Sequence, residues 1–128
     1  IQHWVIGGHS VGGTMAAQYT SQHSDKIAGL VIWASYPADS ADLSVLDMPM
    51  ALIYGSLDPA ANDEQVLPRR RLFPEDARFV RIQGGDHHQF GSYVVQPDGR
   101  HATISRAAQH QQIIEATLDV LQRASAGR

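Results

Sequence analysis

A glycine–serine turn near the start of the chain constrains its fold more than any other feature. The motif Gly8-x-Ser10-x-Gly12 directly follows the apolar residues 4–6, and the residues after it have the pattern of a helix. A strand that turns sharply into a helix holds the serine in a strained backbone conformation, and small residues two positions before and after it relieve the crowding. In that setting a serine hydroxyl becomes an exposed nucleophile. The motif therefore predicts a strand–turn–helix unit with Ser10 as candidate nucleophile.

Other interpretations of the same glycines fit less well. Gly7 to Gly12 has the spacing of a P-loop, but Gly13 stands where that loop needs its phosphate-binding lysine. A dinucleotide-binding fingerprint requires a glycine at position 9 or 10, which His9 and Ser10 occupy. An ordinary helix N-cap remains the alternative role for Ser10.

Composition indicates one globular domain and excludes several classes of site. The chain has 128 residues, of which 43% are hydrophobic and 18% charged, and its net charge of −3 does not indicate a nucleic-acid binder. It has no cysteine, which excludes disulfides and thiolate metal sites. The longest apolar run, near residues 30–34, is too short to span a bilayer, and the compartment stays undecided. No metal or other cofactor is expected, because five histidines show no ligand spacing: His3, His9, His23, His101 and His110.

Strand and helix patterns alternate along the chain. Wholly apolar runs at 30–34 and 50–54 are typical of strands whose two faces are both covered, and residues 1–7 and 78–83 complete four strands. Helices are predicted over 11–23, over 62–72 with a break at Pro68, and from Thr103, as N-cap, to about 123. The alternation predicts an α/β fold with a parallel sheet. The predicted core face of the last helix consists of Ile114, Thr117, Leu118 and Leu121.

The residues that follow the predicted strands include a serine, an aspartate and a histidine. Ser10 follows the first strand, Asp58 the third and His87 the fourth. Because ligands of parallel sheets sit beyond the carboxyl ends of the strands, we expect these three side chains at one edge.

Four segments of the chain carry a resemblance to a known family: Gly7-Gly8-His9-Ser10-Val11-Gly12-Gly13, Ala34-Ser35-Tyr36-Pro37, Tyr54-Gly55-Ser56-Leu57-Asp58 and Gly84-Gly85-Asp86-His87-His88-Gln89-Phe90-Gly91. With these segments the chain resembles the C-terminal half of an α/β-hydrolase. The resemblance is to small esterase-like and dienelactone-hydrolase-like members, and it covers essentially the whole chain. It implies a partial α/β-hydrolase fold over residues 1–128, with a mostly parallel sheet of about four strands flanked by helices and with the family's N-terminal strands absent.

The same resemblance implies roles for the candidate residues. Ser10 is the nucleophile, Asp58 the acid and His87 the base, while the backbone N–H of Val11 is one donor of an oxyanion hole. His88 competes with His87 for the role of base, and Asp58 could be an ordinary loop residue. The candidate pocket residues are His9, Tyr36, His88 and Phe90.

Two functions follow as hypotheses. The first is a serine hydrolase that acts on small carboxylic esters or lactones through an acyl-enzyme, with weak activity because the second oxyanion donor belongs to an earlier part of the fold. The alternative is a catalytically silent, truncated half-domain that persists as a self-associating unit. In both cases the open first strand predicts a homodimer, and neither a nucleic acid nor a membrane is an expected partner.

Overall fold

A computed structural model of the chain describes residues 3–92 and 102–126. The strands are β1 (Trp4–His9), β2 (Ile27–Trp33), β3 (Met50–Gly55) and β4 (Arg78–Ile82). The α-helices are α1 (Val11–Gln22), α2 (Asp63–Val66) and α3 (Arg106–Ala126). Short 3-10 helices span Ser24–Lys26, Leu67–Leu72 and His88–Phe90.

The four strands form one parallel sheet in the order β1-β2-β3-β4. Its register aligns Gly8 with Ile32 and Ile32 with Leu52, and Leu52 with Phe79. The predicted α/β fold with a parallel sheet is therefore confirmed, and the carboxyl ends of all four strands lie at the same edge.

The two faces of the sheet are buried by different helices. Leu30 and Ile32 of β2 pack with Ala16 and Ala17 of α1 on one face. On the other face Val31 packs with residues of α3. Side chains of a strand alternate between the faces, so a strand with helices on both sides is apolar at every position. This explains the uninterrupted apolar runs in β2 and β3.

The prediction for α3 was wrong in two respects. The helix begins at Arg106, and the Ser105 hydroxyl, not Thr103, accepts a hydrogen bond from the Ala108 N–H at 3.0 Å. Thr103 instead donates its backbone N–H to the Gly84 carbonyl at 2.8 Å. The predicted core face is also displaced, since Ile114, Leu118 and Leu121 are exposed. The buried row of the helix consists of Gln109, Ile113, Ala116, Val120 and Ala124.

The segment between β3 and β4 contains the predicted interruption at Pro68. The α-helical part is α2, whose N-cap Asn62 forms a capping box with Gln65. Pro68 lies in the first turn of the 3-10 helix that follows. Proline lacks the N–H that a longer α-helix would need there.

Strand β1 forms an edge of the sheet within the described residues. Its residue Trp4 is 54% exposed, and Val5 and Ile6 are half-buried. A strand edge of this kind presents unpaired backbone donors and acceptors to a partner strand. No helix among residues 3–92 and 102–126 is both long and apolar enough to cross a membrane.

Pairing of two copies across β1 stays a prediction. A two-fold axis makes the two edge strands antiparallel, so that each satisfies the other's free backbone groups. We expect light scattering to give twice the chain mass of 14.0 kDa at micromolar concentration. Trp4→Lys should lower that mass, whereas Val45→Lys, at a position 87% exposed and outside the sheet, should not. A wild-type chain that stays monomeric contradicts the prediction.

Candidate active site

Ser10 occupies the turn between β1 and α1. Its φ of 60° and ψ of −126° lie in a region that side-chain-bearing residues rarely adopt. The turn is held from both sides. The Ser10 N–H donates to the Trp33 carbonyl at 2.9 Å, and the Ser10 carbonyl accepts from the Gly13 N–H at 2.9 Å. The strand–turn–helix unit predicted from the motif is thus present, with the strained serine at its apex.

The two glycines of the motif have different structural roles. A Cβ on Gly8 would lie 2.3 Å from the backbone carbonyl of Gly12, which leaves no room for a side chain. A Cβ on Gly12 would meet nothing within 4 Å. The expectation that both glycines relieve crowding is therefore wrong for Gly12, because its own Cβ would point into open space.

Asp58 lies three residues beyond β3 and is fully buried. Its Oδ1 accepts hydrogen bonds from the backbone N–H groups of Ala60 at 2.8 Å and Ala61 at 3.1 Å. Its Oδ2 faces His87 at 2.7 Å. A buried carboxylate needs such partners, and here they also fix the direction in which its second oxygen points.

His87 lies between the serine and the aspartate. Its Nδ1 is 2.7 Å from Asp58 Oδ2, and its Nε2 is 3.0 Å from Ser10 Oγ. A carboxylate accepts only, so Nδ1 donates to it, and the free lone pair of a neutral ring is then on Nε2. The Ser10 hydroxyl can donate to that lone pair. The competing residue His88 lies beside this chain of bonds, with its ring 5.5 Å from that of His87.

The pKa values of His87 and His9, both half-buried, move in opposite directions. The hydrogen bond to Asp58, more than any other influence, raises the pKa of His87 above its ordinary value of 6.5, against the effect of burial. Burial is the main cause that lowers the pKa of His9. The ring of His9 lies 4.9 Å from that of His87, and its Nε2 is 3.0 Å from the His87 carbonyl oxygen.

The other candidate residues selected from the sequence lie in different environments. Val11 is the first residue of α1. The N–H groups of a helix's first turn, including that of Val11, have no acceptor within the helix. Tyr36 is half-buried beneath Arg69, whose guanidinium carbon lies 4.2 Å from the ring centre. Phe90 is buried and packs with the core on the α3 side, 5.6 Å from the ring of His9.

Sequence reasoning did not identify Gln109. This residue of α3 is fully buried, and its side-chain amide hydrogen-bonds the backbone of Asp86, next to His87. In the sequence it resembles any polar residue of an exposed helix turn, so no pattern distinguishes it. The backbone donors to Asp58 had a weak signal, because Asp-Pro commonly initiates a turn. Within the described ranges, no group of three or more His, Asp or Glu residues could hold a metal ion.

The model of the alpha/beta hydrolase family matches residues 1–111 of the chain. A search of curated proteins found no match to this chain. Among solved structures, a predicted CIB-like hydrolase from Thermoplasma acidophilum superposes with a TM-score of 0.66 at 16% identity, over 98% of this chain and 52% of that protein.

Two further structures show the same similarity of fold. A monoacylglycerol lipase from Paleococcus ferrophilus gives a TM-score of 0.61 at 15% identity, over 97% of this chain and 69% of that one. An alpha/beta hydrolase enzyme from the metagenome of sediments of the Mar Chica lagoon, Morocco, gives a TM-score of 0.58 at 22% identity. The superposition covers 70% of this chain and 54% of that protein. The chain spans about half the length of the Thermoplasma and lagoon proteins.

The motif glycines provide a matched pair of variants. Gly8→Ala forces a methyl group against the Gly12 backbone and should destabilise the fold by about 1–3 kcal/mol. Gly12→Ala places the same group in open space within a helix, and should be neutral or stabilise by up to about 1 kcal/mol. Urea unfolding measures both. Equal effects of the two substitutions would contradict this description of the turn.

The bond between His87 and Asp58 can be measured by NMR titration of the histidine rings. We expect His87 to titrate above pH 6.5 and Asp58→Asn to lower its pKa. The bond favours the charged ring, so its stabilisation is complete below about pH 6.5 and is lost as the pH rises through the raised pKa. A His87 pKa that Asp58→Asn leaves unchanged would show that the bond is not formed in solution.

Proposed function

Because this chain belongs to the α/β-hydrolase family, we propose that it is a serine hydrolase of small carboxylic esters or lactones. The observation that carries the proposal is the continuous hydrogen-bond chain from Ser10 Oγ through the His87 ring to Asp58, at 3.0 Å and 2.7 Å. A nucleophile, a base and a group that orients the base need this arrangement for acyl transfer.

In the first half of the proposed reaction, His87 Nε2 takes the hydroxyl proton of Ser10 as Oγ attacks the ester carbonyl carbon. The new C–O bond forms while the carbonyl electrons move onto oxygen. The charge on the imidazolium is stabilised by Asp58, which is already hydrogen-bonded to Nδ1. Collapse of the intermediate breaks the ester C–O bond, and the leaving alcohol takes the proton from Nε2.

In the second half, water replaces the alcohol. His87 removes a proton from the water as it attacks the acyl-serine carbonyl, and returns that proton to Ser10 Oγ when the acid leaves. No redox partner or additional reactant is needed. For a lactone, the leaving alcohol stays attached to the acyl group, so the product is one hydroxy acid.

The oxyanion that forms in each half lies beside the N-terminus of α1. The Val11 N–H is available there, because the first N–H groups of a helix have no acceptor within it. A single donor of this kind typically contributes about 10²–10³ in rate. Val11 is therefore the backbone donor in this proposal.

The preference for small substrates rests on the connection between β2 and β3. Residues 34–49 form this connection, and Ala41 and Leu43 within it are fully buried in the core. A segment this short, anchored by its own side chains, cannot supply a lid domain. The edge that holds Ser10 is accordingly open to short acyl groups.

Labelling by a fluorophosphonate probe tests the function directly. The probe should attach to Ser10, and Ser10→Ala should abolish labelling, because phosphonylation requires the same activated hydroxyl. His87→Gln should slow labelling by about 10²–10⁴-fold, the usual contribution of a general base. The rate should rise with pH through a pKa above 6.5, since the neutral ring is the base.

Ser40→Ala serves as the matched control, because Ser40 is an exposed loop serine. Its labelling should equal that of the wild type. A folded wild-type chain that the probe does not label would instead support the alternative, a catalytically silent unit. Labelling that His87→Gln leaves unchanged would exclude His87 as the base.

A further inference from the structure

The backbone on both sides of His87 is held by side chains from distant parts of the fold. The side-chain amide of Gln109 on α3 makes two hydrogen bonds to the backbone of Asp86. Its Nε2 donates to the Asp86 carbonyl at 2.8 Å, and its Oε1 accepts from the Asp86 N–H at 3.2 Å. The first of these bonds acts on the peptide that joins Asp86 to His87, which is one of the two peptide planes that meet at the His87 Cα.

His9 of β1 holds the second peptide plane. Its Nε2 is 3.0 Å from the carbonyl oxygen of His87, on the peptide that leads to His88. A carbonyl only accepts, so this nitrogen of His9 carries a proton and donates it. The two flanking peptides are thus tied to α3 on one side and to β1 on the other.

These two bonds restrict both rotatable backbone bonds of His87. The residue has a φ of −70° and a ψ of −39°, so its backbone is not itself strained. Rotation about φ moves the Asp86 peptide relative to the side chain, and rotation about ψ moves the His88 peptide. Either rotation would swing the ring away from Ser10 or Asp58, and neither can occur unless one of the two side-chain bonds breaks. This matters because a productive site tolerates only about 0.5 Å of displacement.

Packing alone does not account for a glutamine at position 109. The other members of the buried row of α3 are apolar, and Gln109 is fully buried. Burying an amide is unfavourable unless its groups are hydrogen-bonded, and an apolar residue of similar size would avoid that cost. Gly85 also lies against the amide, where a Cβ would be 3.1 Å from Gln109 Oε1. The absence of a side chain at Gly85 lets the amide reach the backbone.

We propose that Gln109 and His9 are positioning residues for His87, which hold its two flanking peptides so that the ring meets Ser10 and Asp58 together. Neither residue takes part in bond making. The effect on catalysis rests on the proposed function, whereas the effect on the His87 ring does not.

The test compares Gln109→Met with Gln111→Met in the full chain. Gln111 lies on the same helix but is exposed, and its Nε2 donates to Glu115 Oε1 at 3.0 Å. Ring signals of ¹⁵N-labelled histidine give the pKa of His87, with His87→Gln identifying its resonances. We expect Gln109→Met to bring this pKa back toward 6.5, because the bond to Asp58 is its main cause. Gln111→Met should leave it unchanged.

Replacement of His9 provides an independent pair of variants if Gln109→Met does not fold. His9→Phe keeps an aromatic ring beside Phe90 but has no donor, whereas His9→Gln places an amide nitrogen the same number of bonds from the backbone. We expect His9→Phe to lower the His87 pKa and His9→Gln to restore it. We expect the variants that lower the His87 pKa, Gln109→Met and His9→Phe, also to slow probe labelling of Ser10 by about 10- to 100-fold. This is the effect of a small misplacement of a catalytic group.

The two readouts distinguish failure of this proposal from failure of the proposed function. If Gln109→Met and His9→Phe fold and leave the His87 pKa at the wild-type value, the positioning role is overturned even where Ser10 is labelled. If those variants lower the pKa while the wild-type serine is never labelled, the positioning role stands and the hydrolase function fails.

Discussion

Parallel strands end at the same edge of their sheet, and the candidate active site depends on this constraint. Ser10 follows β1, Asp58 follows β3 and His87 follows β4, so residues far apart in the chain meet only because β1 to β4 pair in parallel. The serine and histidine are separated by 77 positions, and the aspartate and histidine by 29. Nothing local brings these side chains together. The apolar residues that bury both faces of the sheet therefore also determine the geometry of the site.

Much of this architecture could be predicted because its signals are local. A strand covered on both faces is apolar at every position, and the short apolar runs of β2 and β3 match that pattern. The face of α3 could not be predicted in the same way. The three large apolar residues of the predicted row are exposed. The buried row instead combines Ile113 and Val120 with two alanines, whose small side chains let the helix approach the sheet closely. Which of two adjacent rows of the helix is buried depends on how the helix packs against the sheet, and the helical period of the sequence does not determine this.

The candidate active site could likewise be predicted only in part. The order of serine, aspartate and histidine could be predicted, since each lies in the loop or turn that follows a strand, namely β1, β3 and β4. The partners that hold them could not. Asp58 is oriented by the N–H groups of Ala60 and Ala61, and the Asp86 backbone is held by Gln109. Bonds from side chains to backbone, or within a turn, depend on the exact path of a loop. A sequence pattern does not determine the path of a loop to that precision.

The contacts of Gln109 also have a consequence for the order of events during biosynthesis. Ser10 is translated early. Gln109, which holds the backbone next to His87, lies in the first turn of α3 and is translated after all four strands of the sheet. At about 5–20 residues per second, a ribosome needs on the order of 5–20 seconds to pass from one to the other. During that interval the nascent chain carries the serine without its completed surroundings. In the proposed function, activation of the Ser10 hydroxyl therefore waits until the last helix docks.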